Sequence, residues 1–293
     1  MKFRSQIVFL FDKPAEFLYL KFMRIGAHCS ISGGFSRSVA RILKAGGNTL
    51  QIFSGNPRGW KKTGLDDREV KKFINLRKEK KVFPLVVHTP YVINIASSKK
   101  TLRKKSITAL KNELKRASCL KADFLVHHPG NSGTETRENG NRRVVNSLKK
   151  ILNYGSYHTR LLLENTAGQG NSLGVDFDNL FKIRKKLQNR IGFCIDTSHA
   201  YQAGYTMGDV LNHKISKFTR VIHVNDSKKE FGQNIDRHAH IGQGTIGLKN
   251  FKKILTYYGW KKKPFILETP KENNMDFKNI NTLQKLSKHQ SSL

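Results

Sequence analysis

Eight short runs of mostly apolar residues recur along the chain. They occupy residues 23–28, 49–55, 83–90, 123–130, 160–166, 191–199, 220–226 and 264–270. The runs do not alternate cleanly between apolar and polar positions, which is typical of parallel strands buried on both faces. We therefore expect eight buried parallel strands.

The stretches between these runs carry apolar residues at helical spacing. Residues 66–81 begin with Asp66, which we expect to be an N-cap, and Glu69 follows three positions later. Three further stretches share the helical spacing, residues 101–120, 176–188 and 248–259. The last of them ends in Gly259, which we expect to be a C-cap.

The repeated order of strand and helix predicts one α/β domain, a (β/α)₈ TIM barrel with its active site at the C-terminal ends of the strands. This fold typically takes about 250 residues, which fits residues 23–288. Residues 1–22 would be an N-terminal extension, and residues 289–293 a tail. Either Met23 is the real start, or the extension packs across the bottom of the barrel. We favour a dispensable extension, because eight strands already close the barrel.

The charge of the chain narrows the classes of partner. Lys and Arg total 54 against 21 Asp and Glu, which gives a formal net charge of +33. Such a balance favours a polyanionic partner, nucleic acid first, although the Lys-rich codons of an AT-rich genome also contribute. Three cysteines predict reduced thiols in an intracellular, non-secreted protein, and no apolar run approaches the ~18 residues of a membrane span.

Histidines and carboxylates stand at the predicted ends of the strands and in the loop after the seventh. They are His88, His128, Glu164, Asp196, His199, His223, Asp236, His238 and Glu268. One such residue alone is more often a hydrogen-bonded structural group or a helix cap. Nine such residues at one barrel mouth favour a metal site instead, because crowded carboxylates repel one another unless divalent cations lie between them. Imidazole and carboxylate ligands without thiolate suit zinc, with manganese as the alternative, and nine ligands suit about three ions.

Several longer segments carry a resemblance to a known family. They are "VHTPYVINIAS", "HHPG", "LLLENTAGQGNSLG", "CIDTSHAYQAGY", "HVNDSKKEFGQNIDRHAHIGQGTIG" and "ILETP". In this order, from about Met23 to Glu268, they closely resemble the signature segments of the endonuclease IV family of apurinic/apyrimidinic (AP) endonucleases. The resemblance implies a TIM barrel with three zinc ions that cleaves double-stranded DNA on the 5′ side of abasic sites.

The resemblance also assigns the ligands. One zinc would be held by His88, His128 and Glu164, the second by Glu164, Asp196, His223 and Glu268, and the third by His199, Asp236 and His238. Manganese is the alternative ion at one position. A hydroxide between the two ions that share Glu164 would be the nucleophile, and Glu268 would position or deprotonate it. The products would be a 3′-hydroxyl and a 5′-deoxyribose phosphate, 3′-end repair is a further expected activity, and we expect a monomer.

Two loops match the positions at which the family enters the minor groove and replaces the flipped-out nucleotide. They contribute Arg58 and Trp60 after the second strand, and Tyr91 and Val92 after the third. Trp60 has an equally good interpretation as a residue that packs the loop. Arg237 would either contact a phosphate or orient Asp236 through a salt bridge.

The remaining candidates are assigned to the surroundings of the site. We expect His28, His127 and His240 to be structural or supporting residues and Cys194 to be a buried core thiol. Two other functions compete with the nuclease, a metal-dependent sugar isomerase on a related barrel and a DNA-binding protein that has lost catalysis. The high charge has no evident role in the first, and the complete ligand set argues against the second.

Overall fold

A computed structural model describes residues 23–60, 63–155 and 157–288 of the protein. Its barrel strands are β1 (Arg24–His28), β2 (Thr49–Phe53), β3 (Leu85–His88), β4 (Phe124–His127), β5 (Arg160–Glu164), β6 (Gly192–Asp196), β7 (Thr219–His223) and β10 (Pro264–Leu267). They close in the order β1-β10-β7-β6-β5-β4-β3-β2, and every pairing is parallel. The short strands β8 (Asp226–Ser227) and β9 (His238–Ala239) form an antiparallel pair. The prediction of an eight-stranded parallel barrel is confirmed.

Helices surround the barrel. They are α1 (Phe35–Lys44), α2 (Asp67–Glu79), α3 (Lys100–Cys119), α4 (Arg137–Leu152), α5 (Phe177–Lys186), α6 (Thr197–Gln202), α7 (Met207–Asn212), α8 (Leu248–Thr256) and α9 (Met275–Lys288). Asp66 is the N-cap of α2, as predicted, and accepts the backbone N–H of Arg68 at 2.9 Å. Glu69 instead accepts the backbone N–H of Ser36 at 2.7 Å, so it fixes the start of the neighbouring helix.

The prediction that Gly259 caps α8 is wrong. The helix ends at Thr256, and Gly259 lies inside a 3₁₀ turn, Tyr258–Trp260. Trp260 is fully buried and donates its indole N–H to the carbonyl oxygen of Ser216 at 3.1 Å. Burial of this large side chain turns the chain inward before the glycine is reached.

The inside of the barrel explains why the apolar runs lack alternation. Six apolar side chains fill it, Val86, Val126, Leu162, Cys194, Val221 and Ile266. The other face of the strands packs against the helices in a second, larger core. Side chains two positions apart on a strand share a face. The residue two positions after each member of the interior layer is one of the predicted ligands, namely His88, His128, Glu164, Asp196, His223 and Glu268. The apolar layer is therefore the floor of the candidate site.

Some expectations concern residues outside the described ranges. The extension (1–22) and the tail (289–293) are among these residues, so both assignments stay predictions. None of the described helices combines the length and the apolar character needed to cross a membrane.

Candidate metal centre

The structure gathers the predicted ligands at the C-terminal mouth of the barrel. Among the described residues, ligand atoms within 4.8 Å of one another form three groups of imidazoles and carboxylates, (His88, His128, Glu164), (Glu164, Asp196, His223, Glu268) and (Asp196, His199, His238). The first two groups contain the residues expected for the first two ions. In the third group Asp196 stands where Asp236 was expected. Asp236 is nevertheless adjacent, because its carboxylate lies 3.2 Å from His199 Nε2 and 3.3 Å from His238 Nε2.

Glu164 is the centre of the arrangement. Its fully buried carboxylate places Oε2 3.1 Å from His88 Nε2 and 3.3 Å from His128 Nε2. The other oxygen, Oε1, lies 2.9 Å from His223 Nδ1. One carboxylate thus serves two groups with different oxygens, which is what a bridging ligand does.

Three imidazoles are oriented by backbone carbonyl groups. The Nδ1 atoms of His88, His199 and His238 lie 2.8, 3.0 and 3.2 Å from the carbonyl oxygens of Thr89, Asn165 and Glu268. A carbonyl only accepts, so Nδ1 carries a hydrogen and Nε2 faces the centre, where it could ligate a metal ion once its own proton is displaced, as metal-ligating histidines do. Within the described residues, the buried Nε2 atoms of His199 and His238 face the Asp236 carboxylate at 3.2 and 3.3 Å but do not meet it with hydrogen-bond geometry. Imidazole nitrogens and a carboxylate that converge in this way fit a divalent ion between them.

His223 has the opposite orientation, which Gln51 sets. Its Nε2 lies 2.8 Å from Gln51 Oε1, and its Nδ1 faces Glu164 and Glu268. The amide nitrogen of Gln51 donates to Glu268 Oε1 at 2.5 Å and lies 3.0 Å from His28 Nδ1. Sequence reasoning missed Gln51, although a fully buried amide inside an apolar strand is a signal that could have found it.

Imidazoles and carboxylates at the site shift one another's pKa values. Burial would raise the pKa of Glu164, but His128 and His223 outweigh burial and hold it well below its usual range. Conversely, burial lowers the pKa of His199, but Asp196 and Asp236 raise it to about 10. Without metal, protons on His88, His199 and His223 therefore offset part of the charge of the ionised carboxylates. Binding of divalent ions would displace these protons, which is how metal binding and protonation compete at such sites.

Cys194 and His127 lie close to the ligands and remain outside the assigned set. The Cys194 sulfur is near Glu164 and His223, but burial raises the pKa of the thiol to about 12, and the side chain belongs to the interior apolar layer. His127 Nδ1 lies 2.9 Å from the Thr89 hydroxyl, and burial lowers the pKa of this imidazole to about 3. Both side chains therefore have the supporting positions expected of them.

Tyr91 stands exposed at the mouth, with 67% of its surface accessible. The centroid of its ring lies 5.6 Å from the centroid of the Phe53 ring and 5.8 Å from that of the His88 ring. Its backbone N–H donates to the carbonyl oxygen of Pro57 at 3.2 Å, which joins the loops after β2 and β3. The exposed Arg58 is therefore carried by a loop tied to that of Tyr91, while Val92 packs half-buried against the core.

Trp60 and Arg237 each had two interpretations. Trp60 is half-buried against the core, with Lys105 Nζ 4.4 Å from its ring centroid, and this position favours packing of the loop. Arg237 is exposed and donates to the backbone oxygen of Asp236 at 2.8 Å. The ion pairs of the described residues include none between Arg237 and the Asp236 carboxylate, so the arrangement does not favour the salt bridge.

Asp226 anchors the loop that supplies Asp236 and His238. Its buried carboxylate accepts four backbone N–H groups, those of Ser227, Gly242, Gly244 and Ile246, at 2.9 to 3.1 Å. Gly244 is required here, because a Cβ would lie 2.4 Å from the Ser227 oxygen and 2.5 Å from Asp226 Oδ1. Pairing of Ser227 with His238 then brings the imidazole to the centre. The glycine-rich segment indicated a tight loop whose backbone N–H groups need an acceptor, but the sequence did not identify Asp226 as that acceptor.

Comparisons with known proteins agree with this architecture. The family model described as a xylose isomerase-like TIM barrel matches residues 39–290. The chain is 41% identical over 266 residues to a probable endonuclease 4 of Halothermothrix orenii, covering 87% of this chain and 96% of that protein. It is 40% identical to a probable endonuclease 4 of Carboxydothermus hydrogenoformans, with 85% and 91% covered. The crystal structure of endonuclease IV from Thermus thermophilus superposes with a TM-score of 0.79 at 30% identity, covering 90% of this chain and 98% of that one.

Proposed function

Because this chain belongs to the endonuclease IV family of AP endonucleases, a family of DNA-repair hydrolases, we propose that it cleaves the phosphodiester 5′ to abasic sites. The products would be a 3′-hydroxyl and a 5′-deoxyribose phosphate, and the same site would trim blocked 3′ ends. The observation that carries the proposal is the position of Glu164, whose two oxygens serve two ligand groups at once.

The residues present fit three divalent ions. We assign His88, His128 and Glu164 to the first, Glu164, Asp196, His223 and Glu268 to the second, and His199, Asp236 and His238 to the third, with zinc as the expected metal and manganese as the alternative at one position. When bound, such ions supply an activated water molecule and offset the charge of the phosphodiester.

The chain itself would position the attacking water and take its proton through Glu268. Burial opposes ionisation of this carboxylate, but His223 holds its pKa well below the usual range, so the basic form is present at neutral pH. Gln51 and His223 contact different oxygens of Glu268, which fixes the plane of the carboxylate. A preset base of this kind needs little reorganisation during the reaction.

Recognition of the lesion would come from the mouth. We propose that Arg58, Tyr91 and Val92 fill the gap left by the flipped-out nucleotide, and that Arg237 contacts a backbone phosphate. Trp60, the remaining DNA-contact candidate, would act by packing the loop of Arg58. The net charge of +33 supports attraction to DNA before these contacts form. We further propose that the protein acts as a monomer inside the cell, where its DNA substrate is.

A sugar isomerase is the alternative function on this fold. The barrel also superposes on a D-tagatose 3-epimerase-like protein with a TM-score of 0.70, but the identity of 21% indicates a shared fold alone. No feature of the described site favours a sugar substrate over DNA. The proposal therefore remains the nuclease.

The test is incision of a duplex with one tetrahydrofuran abasic analogue by the metal-loaded, full-length protein. We expect one cut on the 5′ side of the analogue. Glu268→Gln should abolish the cut, while Glu272→Gln, at a carboxylate that is 63% exposed and outside the ligand groups, should retain it. Binding without cutting by the wild type would indicate an inactive DNA-binding protein, and indifference to DNA would leave the isomerase.

A further inference from the structure

A second charged cluster lies at the opposite end of the barrel from the metal centre. It is formed by Arg160, Arg184, Arg220 and Lys263, at the N-terminal ends of β5, β7 and β10 and the C-terminal end of α5. Arg160 is the first residue of β5. Because Leu162 and Glu164 face the barrel interior, alternation turns Arg160 toward the same interior at its lower end.

Arg220 reaches this space across Gly192. A Cβ on Gly192 would lie 3.1 Å from Arg220 Cγ and 2.8 Å from Leu162 Cδ2, so the missing side chain leaves room for the arginine. The register between β6 and β7 shifts at this point, since Phe193 pairs with Thr219 but Cys194 pairs with Val221. Arg220 is the extra residue of this bulge, and bulges redirect side chains in this way.

The other two cations are held in place. The Arg184 guanidinium carbon lies 3.9 Å from the centroid of the Phe218 ring, and its Nε donates to the carbonyl oxygen of Ile191 at 3.1 Å. Lys263 Nζ donates to the carbonyl oxygen of Ser216 at 3.2 Å. Contacts within the protein therefore fix the positions of Arg184 and Lys263 without a ligand.

The positive charge of the cluster is uncompensated. Across the described residues, none of the four side chains has a carboxylate within 4.0 Å, and the guanidinium groups of Arg160 and Arg220 make no hydrogen bond. Burial and Arg220 lower the pKa of Arg160, and burial with Arg220 lowers that of Lys263 to about 8. Half-buried like charges cost folding free energy, which a bound anion would recover.

We propose that this cluster is a binding site for a tetrahedral oxyanion of the phosphate type. Guanidinium forks match phosphate oxygens in pairs, and Lys263 adds a point charge at the edge. The phosphate has two sources, free inorganic phosphate or the backbone of a second DNA segment. The site faces away from the mouth, so it is independent of the proposed nuclease function and can be filled while the metal centre holds substrate.

The test compares thermal unfolding of the full-length, metal-loaded protein in sodium phosphate and in sodium chloride of equal ionic strength. At ten times its dissociation constant, phosphate should shift the unfolding equilibrium about elevenfold toward the folded state. Arg160→Gln and Arg220→Gln should each lose this shift. Lys78→Gln, an exposed cation at the end of α2, should keep it. Phosphate that binds at the metal centre would stabilise the wild type and all three variants alike. The result is therefore read from the difference in phosphate-induced stabilisation between the proteins.

A second measurement separates the two sources of phosphate. The number of short undamaged duplexes bound per protein at saturation is determined by sedimentation. Two duplexes on the wild type and one on Arg220→Gln would identify DNA as the source, and one on each, with a phosphate shift lost in the variant, would identify the free anion. Should Arg220→Gln fail to fold, Lys263→Met replaces it in both assays. Equal phosphate shifts and equal duplex numbers in wild type and variants would overturn the proposal.

Discussion

Asn in place of Asp226 should release the loop that carries Asp236 and His238. In the wild type, Oδ2 accepts the N–H groups of Gly242 and Gly244, and Oδ1 accepts those of Ser227 and Ile246. Asn has the same shape, but in either orientation its NH₂ group faces two of these donors. The substitution therefore tests the four hydrogen bonds without a change in volume.

The size of the effect on stability follows from the two hydrogen bonds that are lost. A hydrogen bond to a charged group contributes about 1.5–3 kcal/mol, so loss of two would cost about 3–6 kcal/mol if nothing moved. Relaxation of the loop recovers part of this cost. We expect the free energy that holds the loop of Asp236 and His238 in its native position to fall by about 3 kcal/mol. Since 1.4 kcal/mol is a factor of ten, the ion that we assign to His199, Asp236 and His238 should bind about 100-fold more weakly.

The assay is metal content by mass spectrometry after dialysis, together with incision of an abasic duplex. We expect Asp226→Asn to retain about two-thirds of the wild-type metal and to lose most incision activity, with activity restored by excess zinc. Asp67→Asn, at an exposed position in the first turn of α2, is the matched control and should resemble the wild type. Unchanged metal content and unchanged unfolding free energy in Asp226→Asn would refute the role of the carboxylate.

Three further predictions concern the ligands, the lesion and the charge. His223→Ala should abolish incision and leave the far-ultraviolet circular dichroism spectrum unchanged, because the apolar layer below the site closes the barrel without it; near wild-type incision would disprove the ligand assignment. Arg58→Ala and Tyr91→Ala should weaken binding to abasic duplex more than to undamaged duplex, measured by fluorescence anisotropy, and equal weakening would make both residues general contacts. DNA affinity should fall steeply with salt, with a slope of ~0.9 in log K against log salt per phosphate contacted, and an affinity indifferent to salt would contradict the role given to the basic surface.

The ligands at the ends of the strands could be predicted because their positions depend only on residue spacing within one strand. A residue two positions after a buried apolar residue faces the same side of the strand, so His88 above Val86 and Glu164 above Leu162 follow from the order of the chain alone. The fold follows from the same runs, since strands without alternation must be covered on both faces.

The parts that sequence reasoning missed depend on contacts between distant segments. Gln51 is one polar residue in an apolar strand, and its role appears only when β2, β7 and β10 bring it to His223 and Glu268. Gly259 failed as a C-cap because burial of Trp260 outweighs a local glycine preference. Glu69 stands where a capping box would place it, yet it bonds to Ser36 on another helix.

We propose that metal ions held by groups sharing Glu164 give this barrel its AP endonuclease activity. The most direct test removes all metal with a chelator and returns zinc in steps while incision of a duplex with one tetrahydrofuran site is followed. We predict no incision by the metal-free protein and full incision, 5′ to the analogue, only as about three zinc ions bind per chain. Full incision by the metal-free protein, or zinc uptake without incision, would contradict the account.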